Sequence, residues 1–214
     1  MELTESLENY IKEIYEIMEI KNSVRVIDLI NFTNLSPGSI SRALDKLEKM
    51  GLIIRNSKGI TFTNEGLKIA ERLIKANRLS ERFLTDILQV DWIRAHILAH
   101  KLEHVWPEDV LERINTILNR PKYCPHGHPI PGNNGKIEGI PLDQAEINKE
   151  YEVSMIGIED EWFLLIIDKL GLKLNERLKI VDKSNEWVII ASNNSLNKIE
   201  NNIAKWVFVK SLNS

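Results

Sequence analysis

The chain has 214 residues, 43% hydrophobic and 28% charged, with a net charge of -3, an ordinary globular composition that excludes disordered and fibrous classes. That balance argues against a globally basic nucleic-acid binder, so a DNA-binding surface must be confined to one face. A single cysteine, Cys124, excludes an intramolecular disulfide. With the acidic, poorly apolar MELTESLENY start and no run of membrane-spanning length, it predicts a cytoplasmic protein with no membrane partner.

Leu7, Ile11, Ile14, Tyr15 and Met18 fall at three- and four-residue spacing, which predicts a first amphipathic helix. A short helix over about 24–32 follows. Ser36 and Pro37 then open a third helix as N-cap and first residue, and Gly51 stops it. In the third helix Ile40, Leu44 and Leu47 face inward, while Ser39, Arg42, Lys46 and Lys49 share the outer stripe. Helix, tight turn and helix with a small-polar and basic outer face is the layout of a helix-turn-helix. Directly after it, LIIRNSKGITF reads as a hairpin about Asn56-Ser57-Lys58-Gly59, a wing. This order points to double-stranded DNA as partner. Arg42 and Lys46 are candidates for base edges and phosphates, and Lys49, Arg55 and Lys58 for phosphates. Ser36, Pro37, Ser39 and Ser41 supply the helix start and short polar contacts.

Thr63-Asn64-Glu65 opens a long helix running to about Leu88. Asp91 caps the next, DWIRAHILAHKLEHV, which Pro107 ends. His96, His100 and His104 stand there at four-residue intervals on one face, with Glu103 next to His100, and converging imidazole and carboxylate suit a divalent transition metal. Pro107, Glu108 and Asp109 begin a further helix. The long apolar helices, with Trp92, Ile93, Val105 and Trp106, offer more hydrophobic surface than a small DNA-binding unit needs, which predicts a homodimer. Pro121 to Pro141 is Pro- and Gly-rich and reads as a linker or ordered extended segment. Its Cys124, His126 and His128 offer a second metal cluster, but loop residues so close together are more often exposed or hydrogen-bonded locally, and the local reading is favoured. YEVSMIGI, RLKIVD, WVIIAS and KWVFVK, interrupted by the amphipathic DEWFLLIIDKLG, predict a small β-barrel.

Over nearly its whole length the chain resembles the diphtheria toxin repressor family of metal-dependent regulators. The resemblance is carried by LENYIKEIYEI, the winged unit closing with FTNEG, RLSERFLTDIL, the EHV at Glu103 to Val105, CPHGHPIPG, and KLNERLKIVD near the C-terminus. It implies a mainly α fold with β: a winged helix-turn-helix over 1–64, a helical dimerisation and metal-binding domain over 65–120, a linker over 121–148, and an SH3-like (FeoA-like) barrel over 149–214. It also implies a primary metal site from Asn9, His100, Glu103 and His104, with Lys12 at the place of a further Glu in manganese-type members. An ancillary site follows from Asn77, Glu81, His96 and Glu159, with Trp162 where a Gln is usual.

The expected function is a homodimeric repressor of metal-uptake genes. Bound metal, Fe2+ or Mn2+ foremost with Zn2+, Co2+ and Ni2+ also accommodated, would pin helix 1 to the histidine helix and fit each winged unit to successive major grooves about 34 Å apart. No small-molecule substrate is implied. Two rivals stay open: a regulator of the same family without metal control, prompted by Asn9 and Asn77, and a zinc hydrolase, because His100-Lys101-Leu102-Glu103-His104 also fits the inverted peptidase pattern H-x-x-E-H.

Overall fold

The computed structural model describes residues 3–21, 23–33, 35–193 and 195–212, with the side chain of Phe32 left out. Asn34, expected in the turn before the third helix, lies outside them. The chain divides into two compact units, Met1–Asn77 with Glu103–Val105, and Arg78–Leu102 with Trp106–Ser214. No described helix is long and apolar enough to cross a membrane.

The first unit opens with α1 (Glu5–Ile20), α2 (Val26–Phe32) and α3 (Pro37–Lys49). Ser36 caps α3, its side chain accepting from the Ser39 amide at 3.2 Å, and Gly51 takes the left-handed φ of 72° that ends the helix. Strands β1 (Ile53–Asn56) and β2 (Gly59–Phe62) pair antiparallel across a two-residue connection, forming the expected wing. Ile11, Ile14, Leu29, Ile40, Leu44, Leu47, Ile53 and Leu73 form one core beneath it, each contributing about 1.5–3 kcal/mol when fully buried. The helix α4 (Asn64–Arg82) opens at Thr63, whose hydroxyl accepts from the Gly66 amide, and contributes its residues through Asn77 to this unit.

In the second unit α4 does not continue to Leu88 as a regular helix; Phe83–Ile87 forms a wider π turn and Gln89 adopts φ 54°. Asp91 caps α5 (Trp92–Leu102) through the Ile93 and Arg94 amides, as its sequence position predicts. The helix stops short, however: residues 103–105 form a turn. Pro107 disfavours helical backbone at Trp106 and supplies no amide to the last turn, so the helix cannot run through Trp106; it ends at Leu102. The single-faced ladder of three histidines is thereby broken. After α6 (Glu108–Ile117), strands β3 (Ile140–Pro141), β4 (Glu150–Ile156), β5 (Arg177–Lys183), β6 (Trp187–Ser192), β7 (Ser195–Glu200) and β8 (Val207–Ser211) make one antiparallel sheet in the order β3-β8-β4-β5-β6-β7, consistent with the SH3-like domain. The helix α7 (Glu161–Lys169), predicted from DEWFLLIIDKLG, buries Phe163, Leu164 and Ile167 in the core of the sheet, and α8 (Asn201–Ala204) precedes β8. The 121–148 segment is ordered against this unit: Cys124, Ile130, Leu142 and Ala145 are buried.

Candidate metal centre and DNA-facing surface

The cluster with the chemistry of a metal site lies in the second unit. Glu81, in the last turn of α4, meets the loop that carries Cys124 and His126 and the segment after β4 that carries Glu159. Ligand atoms of these four residues all lie within 4.8 Å of one another. Among the described residues this is the one group of three or more His, Cys, Asp and Glu side chains that converges in this way. The loop is held by its own backbone: the Cys124 amide donates to the His128 carbonyl at 2.9 Å, and the Ile156 amide to the His126 carbonyl at 2.8 Å. Between the two histidines Gly127 takes φ 93°, and a Cβ there would stand 2.2 Å from the Ser154 carbonyl oxygen, so only glycine lets the loop lie against β4.

His126 Nδ1 lies 3.2 Å from Glu159 Oε1 and 3.4 Å from Glu81 Oε2. The Cys124 Sγ is 3.7 Å from Glu159 Oε1 and 3.9 Å from His126 Nδ1. His96 Nδ1 bonds Glu81 Oε1 at 2.7 Å and stands 4.0 Å from Glu159 Oε2. His128 places Nε2 at 2.8 Å from the Ile156 carbonyl, to which it donates, and 3.5 Å from Glu159 Oε1. Glu81 Oε2 and His126 Nε2 are buried without a hydrogen bond.

Burial alone would raise both carboxyls, but the imidazoles reverse it. Glu81 is brought down to about 2, chiefly by the charge of His126, and Glu159 is held well below the usual carboxylate range by His128 and His126. Burial would lower His126, yet the two carboxylates hold it well above the ordinary imidazole value. The Cys124 thiol is pushed up to about 12 by burial and the same two carboxylates. Two buried anions are thus balanced by protons. Sulfur, nitrogen and two carboxylates, with a carboxylate oxygen and a ring nitrogen left without hydrogen bonds, fit a divalent transition metal that would replace those protons.

Of the set Asn9, His100, Glu103 and His104, the first unit brings Asn9, Glu103 and His104 together, with Glu103 Oε1 buried without a hydrogen bond. Glu103 is fully buried, but its Oε2 accepts from the Lys12 ammonium at 2.9 Å and from the Asn77 amide at 2.6 Å. His104 bonds Glu8 through Nδ1 at 2.6 Å and Asn9 Oδ1 through Nε2 at 3.1 Å, with Glu103 Oε1 3.5 Å from that same Nε2. His100 belongs to the second unit, where its Nε2 lies 3.1 Å from His96 Nε2. The expected ancillary set also divides. Glu81, His96 and Glu159 lie in one cluster, Asn77 sits on Glu103 in the other unit, and Trp162 is 55% exposed. Cys124 and His126, read from the sequence as locally bonded loop residues, are the additions. The signal available was their presence in CPHGHPIPG, but nothing local in the sequence shows that the loop is buried beside Glu81 and Glu159.

On the first unit, Ser36, Pro37, Ser41, Arg42, Lys46, Lys49 and Lys58 are exposed and Ser39 is half-buried. Ser39 Oγ bonds Ser36 Oγ at 2.9 Å, and Arg42 reaches it at 3.4 Å. Arg55, expected at a phosphate, pairs its guanidinium with Glu48 at 2.5 Å and Asp45 at 2.7 Å on α3.

Two descriptions from one family match the chain: "iron dependent repressor, N-terminal DNA binding domain" over residues 2–59, and "iron dependent repressor, metal binding and dimerisation domain" over 63–132. The iron-dependent repressor IdeR of Mycobacterium tuberculosis is 30% identical over 132 residues, 61% of this chain. That match spans about 57% of the mycobacterial protein's own length. The diphtheria toxin repressor of Corynebacterium efficiens is 25% identical over 98% of this chain and 96% of its own. Among solved structures, a manganese-dependent transcriptional repressor in complex with manganese superposes with a TM-score of 0.84 at 25% identity, covering 96% of this chain and all of that one. The manganese regulator SloR shares the fold, with a TM-score of 0.82 at 23% identity, over 98% of this chain and all of its own. All four of these relatives are named as repressors or regulators.

Proposed function

The chain belongs to the iron-dependent repressor family, and we propose that it is a metal-responsive DNA-binding repressor of metal-uptake genes, acting as a homodimer in the cytoplasm. The single observation that carries the metal response is the convergence of Glu81, Cys124, His126 and Glu159 within 4.8 Å. When bound there, a divalent transition metal supplies the positive charge that two buried carboxylates otherwise draw from protons.

The chain's own residues do the rest. Glu81 stands at the end of α4, Cys124 and His126 in the loop, and Glu159 on the approach to α7, so filling the cluster would tie together three separate segments of the second unit. His96 bonds Glu81 Oε1 and orients that carboxylate. The relatives named for iron and manganese make Fe2+ and Mn2+ the first metals to test. The cysteine also accommodates Zn2+, Co2+ and Ni2+.

For DNA, α3 presents Ser39, Ser41, Arg42 and Lys46 to the major groove, while Lys49 and the wing's Lys58 contact phosphates. Exposed Ile87, Leu88, Ile97 and Ile117 in the second unit supply apolar surface for the homodimer. A gel-shift titration on the protein's own promoter region tests the reading. Tight binding with Mn2+ or Fe2+ and weak binding in chelator is expected; equal binding in both overturns metal control. Regulation without metal is the second reading, favoured by one observation, the Lys12 ammonium on Glu103.

A further inference from the structure

We infer that Lys12 is a built-in cation for the Glu103 pocket of the first unit, holding α1 to the 103–105 turn in the way a bound metal would and excluding metal there. This goes beyond the proposed function and does not depend on it. Lys12 is 2% exposed and Glu103 is fully buried. Their ion pair, at 2.9 Å, joins residues 91 positions apart in the chain. Glu16, one turn further along α1, lies 3.9 Å from the same ammonium, and the Asn77 amide donates 2.6 Å from the same Glu103 oxygen.

A carboxylate oxygen that already accepts from an ammonium and an amide has little left to offer a metal ion. The ammonium also repels any divalent cation brought to the remaining oxygen, Glu103 Oε1, in a medium that screens poorly. The neighbouring donors do not offset this. His104 is engaged by Glu8 and Asn9, and Asn9 brings an uncharged amide. The same carboxylate with the ammonium removed would be a buried, uncompensated charge facing His104 Nε2, which is the situation a divalent cation relieves.

The test uses the full-length protein, metal-free and then titrated with Mn2+ and Zn2+, reading metal equivalents per chain and melting temperature. Lys12→Met leaves Glu103 unpaired, while Lys12→Met with Glu103→Gln replaces the pair by neutral groups. The expected result is that the double variant binds as many metal equivalents as wild type, with dissociation constants within about two-fold because the sites share no ligand. Lys12→Met melts lower when metal-free, gains one further equivalent, and recovers its melting temperature on metal addition. Loss of a metal equivalent in the double variant overturns the inference, because Glu103 would then be a ligand in the wild type. So does a Lys12→Met protein that folds, melts like wild type and binds no additional metal. If Lys12→Met does not fold, the double variant alone decides. If wild type binds no metal at all, the proposed metal response fails while the gained equivalent in Lys12→Met still supports this inference.

Discussion

The two units bury the same kinds of side chain and balance them in opposite ways. In the first, the Glu103 carboxylate is answered by a fixed ammonium and an amide, Lys12 and Asn77. In the second, Glu81 and Glu159 lie among His96, His126, His128 and Cys124, where a titratable proton on His126 supplies balancing charge. The Lys12 ammonium is covalently tied to α1 beside Glu103, whereas a proton on imidazole or thiol exchanges for a metal. The contrast teaches that a count of histidines and carboxylates does not locate a metal site; the charge already present does.

The largest effect that would break this comparison is on stability. Lys12→Met leaves a buried charge unpaired and should cost about 3–5 kcal/mol in denaturant unfolding, with much of it restored by adding Glu103→Gln. A loss below about 1 kcal/mol would reduce the pair to the rank of a surface contact. Next is the second unit's own ligand: His126→Ala should weaken Mn2+ or Zn2+ binding by more than about 100-fold in buffered-metal titration, since even outer-shell partners cost 10–100-fold.

The pH response sharpens the difference. His126 is raised in the metal-free fold, so its stabilising contribution is fully present below the ordinary imidazole value and is lost as pH rises through the raised one. Glu81 contributes with the opposite sign, from the ordinary carboxylate value upward, and that contribution is lost only as pH falls to about 2. Metal must displace the His126 proton, so affinity should rise about ten-fold per pH unit for each proton released, throughout the range below the raised His126 value, and level off above it. Titration calorimetry in buffers of different ionisation enthalpy counts the protons; a pH-independent affinity would contradict the assignment. The smallest effect separates the basic residues of the winged unit. Lys46→Ala should lower the salt slope of operator binding by about one, whereas Arg55→Ala, whose charge is held by Asp45 and Glu48, should change it little.

Much of the fold was legible because it rests on local patterns. The spacing of Leu7, Ile11 and Ile14, the Ser36-Pro37 start and the two-residue wing connection each specify their own geometry. Strand β7, SLNKIE, was not, because only Ile199 in it is buried and its alternation is weak. The site divided along the same line. Glu81, His96 and Glu159 were named through the family resemblance, while Cys124 and His126 were set down as loop residues, since their burial depends on contacts with β4 and α4 far away in sequence. The ladder of His96, His100 and His104 misled in the other direction: four-residue spacing places side chains together only while the helix continues, and α5 ends at Leu102. Lys12, which the family resemblance placed only where manganese-type members carry a Glu, becomes decisive once its partner, Glu103, is brought beside it.

The most direct test is operator affinity measured against buffered free Mn2+ for wild type, for Lys12→Met with Glu103→Gln, and for His126→Ala. If the metal response resides in the second unit, the double variant keeps the wild-type activation curve and His126→Ala binds DNA equally weakly at all metal concentrations. A double variant that no longer responds to metal, beside a His126→Ala protein that does, would contradict the account.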